Sequence, residues 1–174
     1  MIQNYSRYRV LQEFMDFPRK DFQIRELSRR IKLSQPSLTM HLNALLKDGL
    51  IIKEKKSIYP SFRANRENEA FKIYKKTNLL LRLKQTGLLD YIQDFCMPDA
   101  IVLFGSASRG EDMEGSDIDL FIQASEKKIL LDKYEMLLNR KISPFFKENF
   151  SKLSKELKNN IINGIILKGY LKVF

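Results

Sequence analysis

Hydrophobic positions recur with two different periods along this chain. Tyr8, Leu11, Phe14 and Met15 are spaced for a helix from about Tyr5 to Phe17, ended by Pro18. Ile24, Leu27, Ser28 and Ile31 mark a second helix, and Leu38, Leu42, Leu45 and Leu46 one face of a third. Ser34 is suited to cap the third helix, Pro36 fits its first turn, and Gly49 can close it in the left-handed region. The period then shortens. Leu50–Glu54 and Ile58–Phe62 read as strands around the basic tip Lys55-Lys56-Ser57.

Helical spacing returns through Phe71, Tyr74, Leu79, Leu81 and Leu83, breaks at Gly87, and resumes with Leu88, Leu89, Ile92 and Phe95. Ala100–Phe104 is a short apolar run expected to be a buried strand, followed by a turn at Gly105-Ser106 and a helix start at Ala107–Gly110. A flexible acidic loop, Glu111–Gly115, leads to a strand over Asp117–Ile122. Helix over 127–139, strand over 141–146, helix over 150–160 and a last apolar element through Ile165-Ile166-Leu167 complete the pattern. Helices in one part and mixed short strands in the other predict an α+β chain. We divide it as 1–64, connecting helices 65–97 and a second domain 98–174. No Gly/Ser-rich linker separates the parts, which predicts a semi-rigid join.

Composition narrows the classes. With 44% apolar and 30% charged residues, the 174-residue chain is globular in type. No apolar run approaches a membrane span, and the amino terminus has no secretory pattern. One cysteine, Cys96, permits neither an intrachain disulfide nor a thiolate cluster, so a cytoplasmic setting is expected. The net charge of +10 is uneven: residues 1–66 hold 14 Lys+Arg against 6 Asp+Glu, and the remainder 17 against 15. A basic first third points to a polyanionic partner, the alternative being a solvated face.

The stretch Leu-x-x-Leu-x-x-x-Gly-Leu-Ile, running into a basic hairpin, resembles the winged helix-turn-helix domains of prokaryotic regulators. The resemblance implies double-stranded DNA as partner, with the third helix in the major groove. Gln35, Pro36, Thr39, Met40 and Asn43 would face bases, with His41 at the flank. Lys53, Lys55 and Lys56 would meet phosphates or the minor groove, and Arg29 and Arg30 would clamp backbone. The same fold also serves as a dimerisation or docking module. A homodimer through the connecting helices would suit a palindromic operator.

The second domain carries phosphate chemistry. Glycine at 105 lets backbone approach a phosphate closely, Ser106 adds a hydroxyl, and Arg109 a charge. Asp117 and Asp119, two apart on a strand, share a face and can bind Mg²⁺. Gly105-Ser106-Ala107-Ser108-Arg109-Gly110, then five residues, then Ser116-Asp117-Ile118-Asp119-Leu120 resembles the polymerase-beta-like nucleotidyltransferase signature. That family implies a small mixed sheet flanked by helices, Mg²⁺ as cofactor, a nucleoside triphosphate as substrate, and transfer of a nucleoside monophosphate. Gly105, Ser106, Arg109 and Ser116 would bind nucleotide, and Asp117 and Asp119 would hold metal and carry catalysis. Minimal relatives also imply a helical partner protein in an antitoxin-like arrangement.

Active relatives carry a third acid on a later strand, and Ser143 falls at that slot. Glu148 is expected to begin the next helix, and Asp132 and Glu135 to lie solvated on the preceding one. Three readings follow: a transcriptional regulator whose second domain binds nucleotide and Mg²⁺; an active Mg²⁺-dependent nucleotidyltransferase acting on a protein or small-molecule acceptor; and a pseudoenzyme that binds no nucleotide.

Overall fold

The computed structural model describes residues 5–54 and 59–174. The chain divides into two compact units, Met1–Lys75 and Lys76–Phe174.

In the first unit, α1 (Ser6–Asp16), α2 (Ile24–Ile31) and α3 (Gln35–Lys47) enclose a core of Val10, Phe14, Leu27, Leu38, Leu42 and Leu45. The turn between α2 and α3 is tight because Lys32 takes the left-handed region (φ 54°) and Ser28 Oγ donates to the Leu33 carbonyl. Ser34 Oγ accepts from the Ser37 amide, and Pro36 sits in the first turn of α3. At the other end Gly49 (φ 71°) donates to the Leu46 carbonyl and Leu50 to that of Leu45, the paired bonds of a Schellman cap.

A three-stranded antiparallel sheet completes this unit, in the order β1 (Phe22–Gln23), β3 (Ser61–Ala64), β2 (Ile51–Glu54). The second hairpin strand therefore begins later than the apolar pattern suggested. Ile51 pairs with Ala64 and Glu54 with Ser61, while Tyr59 and Pro60 precede the ladder. The two-residue β1 carries too short a pattern to read from sequence; Phe22 enters the core between Phe14 and Phe17 by edge-on ring contacts.

The unit boundary falls inside α4 (Glu69–Gln85), which ends before a left-handed Gly87 (φ 75°). In the second unit, α5 (Leu88–Cys96) precedes a four-stranded mixed sheet. Its order is β6 (Ile142–Phe146), β5 (Ile118–Ile122), β4 (Ala100–Leu103), β7 (Ile165–Gly169). Only β5 and β6 run parallel. Both faces of the two central strands, β4 and β5, are covered, which explains their near-continuous apolar character. Ile101, Leu103, Ile118, Leu120 and Ile122 pack with α5 residues Leu88, Leu89 and Ile92. Ala100, Val102 and Phe121 pack with Phe150, Leu153 and Ile161 on the other face.

The structure corrects several expectations. The helix read over 127–139 is only α7 (Asp132–Leu138); residues 127–131 are held instead by side chains, Lys127 donating to the Phe95 carbonyl and the Leu130 amide to Tyr91 Oη. The helix read over 150–160 is a 3₁₀ turn, Phe150–Lys152, then α8 (Lys155–Ile162), because Ser154 caps a new start through the Leu157 amide. Glu148 begins no helix; it lies in a bend, with its carboxylate bonded to Ser125. Glu135 is not merely solvated. It accepts from the Ile142 amide (2.9 Å) and pairs with Lys141 (2.6 Å), and the Lys141 bond first, then the amide, holds its carboxyl below the usual range.

Candidate functional site

Two surfaces carry the expected chemistry, one in each unit. On α3, the residues between its buried leucines are open: Gln35, Pro36, Met40 and Asn43 are exposed, Met40 by 59%. Thr39 is half-buried and its hydroxyl donates back to the Gln35 carbonyl (2.8 Å), so its methyl is the group left for contact. Lys47, four residues beyond Asn43, continues this face and escaped the sequence pattern. Lys53 is exposed on β2, whereas Lys55 and Lys56 lie outside the described residues.

His41 sits at the flank with its Nδ1 buried and unpartnered, and burial together with the nearby Arg7 charge pulls its pKa down. Arg30 is engaged with Glu13 and stacks over the Phe17 ring at 4.1 Å, so it braces α2 on α1. Arg29 and Arg25 line an open recess of about 540 Å³ with Gln23 and Glu26. A second recess of about 270 Å³ is bounded by Arg25, Gln35, Tyr59 and Pro60. Arg25 thus stands where α2, α3 and the returning hairpin strand meet, a placement only the folded chain reveals.

In the second unit, β4 gives way at Phe104 and the five-residue α6 (Gly105–Arg109) turns the chain back. Gly105 begins α6 with φ 72°, and a Cβ built there would overlap Oδ2 of Asp119. The glycine is therefore required twice, for its backbone and for the carboxylate beside it. Ser108 Oγ donates to the Gly105 carbonyl (2.8 Å), tightening the turn. Asp117 is exposed just before β5, while Asp119 is half-buried within it. The strand is one residue shorter than the sequence suggested, yet the two carboxylates are close enough to interact. Burial first, then the Asp117 charge, push the Asp119 carboxyl up, and Arg140 draws it partly back.

Gly105 and Asp119 are brought together, and Ser106 is half-buried next to Gly105 in α6. Two other expected nucleotide contacts are engaged within the fold. Arg109 pairs with Glu111 (2.7 Å), and Ser116 Oγ accepts from the Met113 amide (3.0 Å). Ser143 is the register partner of Asp119 across the parallel β5–β6 pair, and it is exposed. Among the described residues, no group of three or more His, Cys, Asp or Glu is placed to hold a metal ion. The donor set that does exist suits Mg²⁺, which is commonly bound by one or two carboxylates and completed by water and phosphate oxygens. The absent side chain at Gly105 is what lets the Asp119 carboxylate lie directly against the turn, beside the first residues of α6.

The acidic loop also differs from expectation. Asp112 is 5% exposed and bonds Arg140 Nη1 at 2.7 Å, so one of its carboxylates is buried and paired. Arg140 carries no distinguishing mark in the sequence. The only local signal is its position after Asn139, whose left-handed conformation (φ 54°) ends α7.

Residues 6–53 match the family model described as bacterial regulatory protein, arsR family. Residues 87–171 match that described as polymerase beta, nucleotidyltransferase. No curated protein and no solved structure matches the chain. No helix among the described residues is long and apolar enough to cross a membrane. The chain joins a winged helix-turn-helix segment of the arsR regulatory type to a nucleotidyltransferase-fold segment of the polymerase beta type.

Proposed function

We propose that this protein is a cytoplasmic, DNA-binding transcriptional regulator whose second unit binds a nucleoside triphosphate with Mg²⁺. The observation that carries this reading is the Asp119 carboxylate set against Gly105, with the Asp117 charge acting on it and Ser143 beside it in register. Two carboxylates beside a glycine turn are a donor set that suits a metal-bound polyphosphate. A base for deprotonating an acceptor hydroxyl is a separate requirement, and Ser143 does not supply one.

In this reading Gly105 and Ser106 would receive the phosphates, and Asp117 and Asp119 would hold the ion. Mg²⁺ would supply charge neutralisation of the phosphate oxygens. On the other unit, Gln35, Pro36, Thr39, Met40 and Asn43 read bases, while Lys47, Lys53, Lys55, Lys56, Arg25 and Arg29 meet phosphates. A homodimer would present two such faces to a palindromic site.

The test begins with selection of duplex sequences from a random pool by the full chain. Binding should weaken steeply with salt, and Lys47→Glu with Lys53→Glu should flatten the logarithmic slope by about one for each phosphate left unneutralised. Unaltered binding by that double variant would remove the DNA assignment. Calorimetry with ATP and Mg²⁺ tests the other unit. Heat that persists unchanged in Asp117→Asn/Asp119→Asn would remove the nucleotide site.

The second reading, slow transfer of a nucleoside monophosphate to a protein or small-molecule acceptor, draws on the same paired carboxylates. Loss of a general base typically costs about 10²–10⁴-fold, which leaves a measurable rate. Incubation with α-labelled ATP and a candidate helical partner protein would reveal it as label on the acceptor.

A further inference from the structure

Arg140 lies between α7 and β6, 16% exposed, and spends its guanidinium on the backbone that carries the carboxylate pair. Nε and Nη2 both donate to the Ser116 carbonyl, at 2.9 and 2.8 Å. Nη2 also reaches the Asp117 carbonyl at 3.2 Å, and Nη1 donates to Asp112 Oδ2 at 2.7 Å. Asp112 is itself buried at the other end of the same loop. One planar cation therefore ties the first and last parts of the 112–117 loop together. The Ile118 amide adds a bond to the Lys141 carbonyl (2.9 Å), next in sequence to Arg140.

This arrangement is costly unless complete, since a buried guanidinium must be paired and hydrogen-bonded. It is also specific to arginine. A lysine ammonium has no planar fork with which to meet two carbonyls and a carboxylate together. The loop it fixes leads directly into Asp117, which lies outside β5 and so lacks the ladder that orients Asp119.

We propose that Arg140, anchored by Asp112, is a positioning residue for the Asp117–Asp119 pair, setting the backbone from which Asp117 presents its carboxylate to a phosphate-bound divalent cation. The inference rests on the reading of this site as one for a metal–nucleotide complex. Partners that orient metal-holding side chains typically contribute about 10–100-fold to metal affinity.

The experiment measures Mn²⁺–ATP binding to the full chain by water-proton relaxation, beside metal-free ATP binding by calorimetry and a thermal melt. Arg140→Lys should weaken Mn²⁺–ATP binding at least about tenfold. Asp112→Asn should weaken it in the same direction by a smaller factor. In both variants metal-free ATP should bind as in the wild type, which general damage to the fold would not allow. Wild-type-like Mn²⁺–ATP affinity in both, within about twofold, overturns the inference, as does an equal loss of metal-free binding. Should Arg140→Lys fail to melt cooperatively, Asp112→Asn decides alone by the same criteria. Absence of Mn²⁺–ATP binding in the wild type would instead overturn the nucleotide reading, and this inference with it.

Discussion

Gly105 and Asp119 occupy each other's limits: a side chain on the first would stand where the carboxylate of the second already is. We predict that Gly105→Ala destabilises the second unit. The left-handed backbone alone costs about 1–2 kcal/mol for an L-residue, and Asp119 must also move. Denaturant unfolding monitored on that unit is the check. A midpoint equal to the wild type would mean that the turn relaxes and that the carboxylate is not constrained by it.

The Asp117–Asp119 contact predicts a site that opposes folding when empty. Burial and the Asp117 charge raise the Asp119 pKa in the folded state. Such a group favours folding below its unfolded pKa and withdraws that support as pH rises through the higher folded value. At neutral pH, Asp119→Asn should therefore melt above the wild type in EDTA. Saturating Mg²⁺–ATP should raise the wild type and leave the variant unmoved. A variant that melts below the wild type in EDTA would show that the carboxylate contributes net stability.

Ser143 and Asp119 are register partners, and paired residues of a parallel ladder share a face. Ser143→Asp should thus place a third carboxylate beside the other two. Without metal, the added like charge is expected to cost roughly 0.2–1 kcal/mol. Mn²⁺ should recover that loss and bind more tightly than to the wild type. Melting curves with and without Mn²⁺ test this, and a loss that metal does not recover would separate position 143 from the ion.

His41, the single histidine, predicts an acid-sensitive first unit. Burial and Arg7 lower its pKa below 6.5, so the unfolded chain takes up a proton more readily than the folded one. Stability contributed by the neutral ring is complete above pH 6.5 and declines as pH falls below it through the folded value. Melting of this unit between about pH 5.5 and 7.5 should show that decline in the wild type and a flatter profile in His41→Gln. Parallel profiles would assign the pH dependence to other groups.

The elements most legible in the sequence are those whose causes are local. Ser34, Pro36 and Gly49 bracket α3 through contacts within a few residues, and their types announce the roles they play. Gly105 and the alternating Asp117 and Asp119 are legible for the same reason. What was hidden depends on distant partners. Phe22–Gln23 is a strand only because Ser61 and Phe62 lie beside it. Asp112 reads as loop charge until Arg140 arrives from the far side of α7. Glu135 likewise looks solvated until the start of β6 folds back onto it. Charge in a sequence carries no record of its partner, so ion pairs that brace the site were the hardest to foresee.

The sheet order carries a consequence in time. The described strands of the first unit end by Ala64, whereas β4 is flanked on one side by β7, at Ile165–Gly169. During synthesis the three helices and their hairpin can close while the second sheet still lacks its last strand. The strand that precedes the Gly105 turn, β4, must wait with one edge bare. Ribosome-held chains ending at residue 150, long enough to carry β4 clear of the exit tunnel but still lacking β7, should therefore protect α1–α3 from protease while leaving residues 100–103 open. The helix-turn-helix unit is then finished first, and the sheet that carries Asp119 is completed only after it.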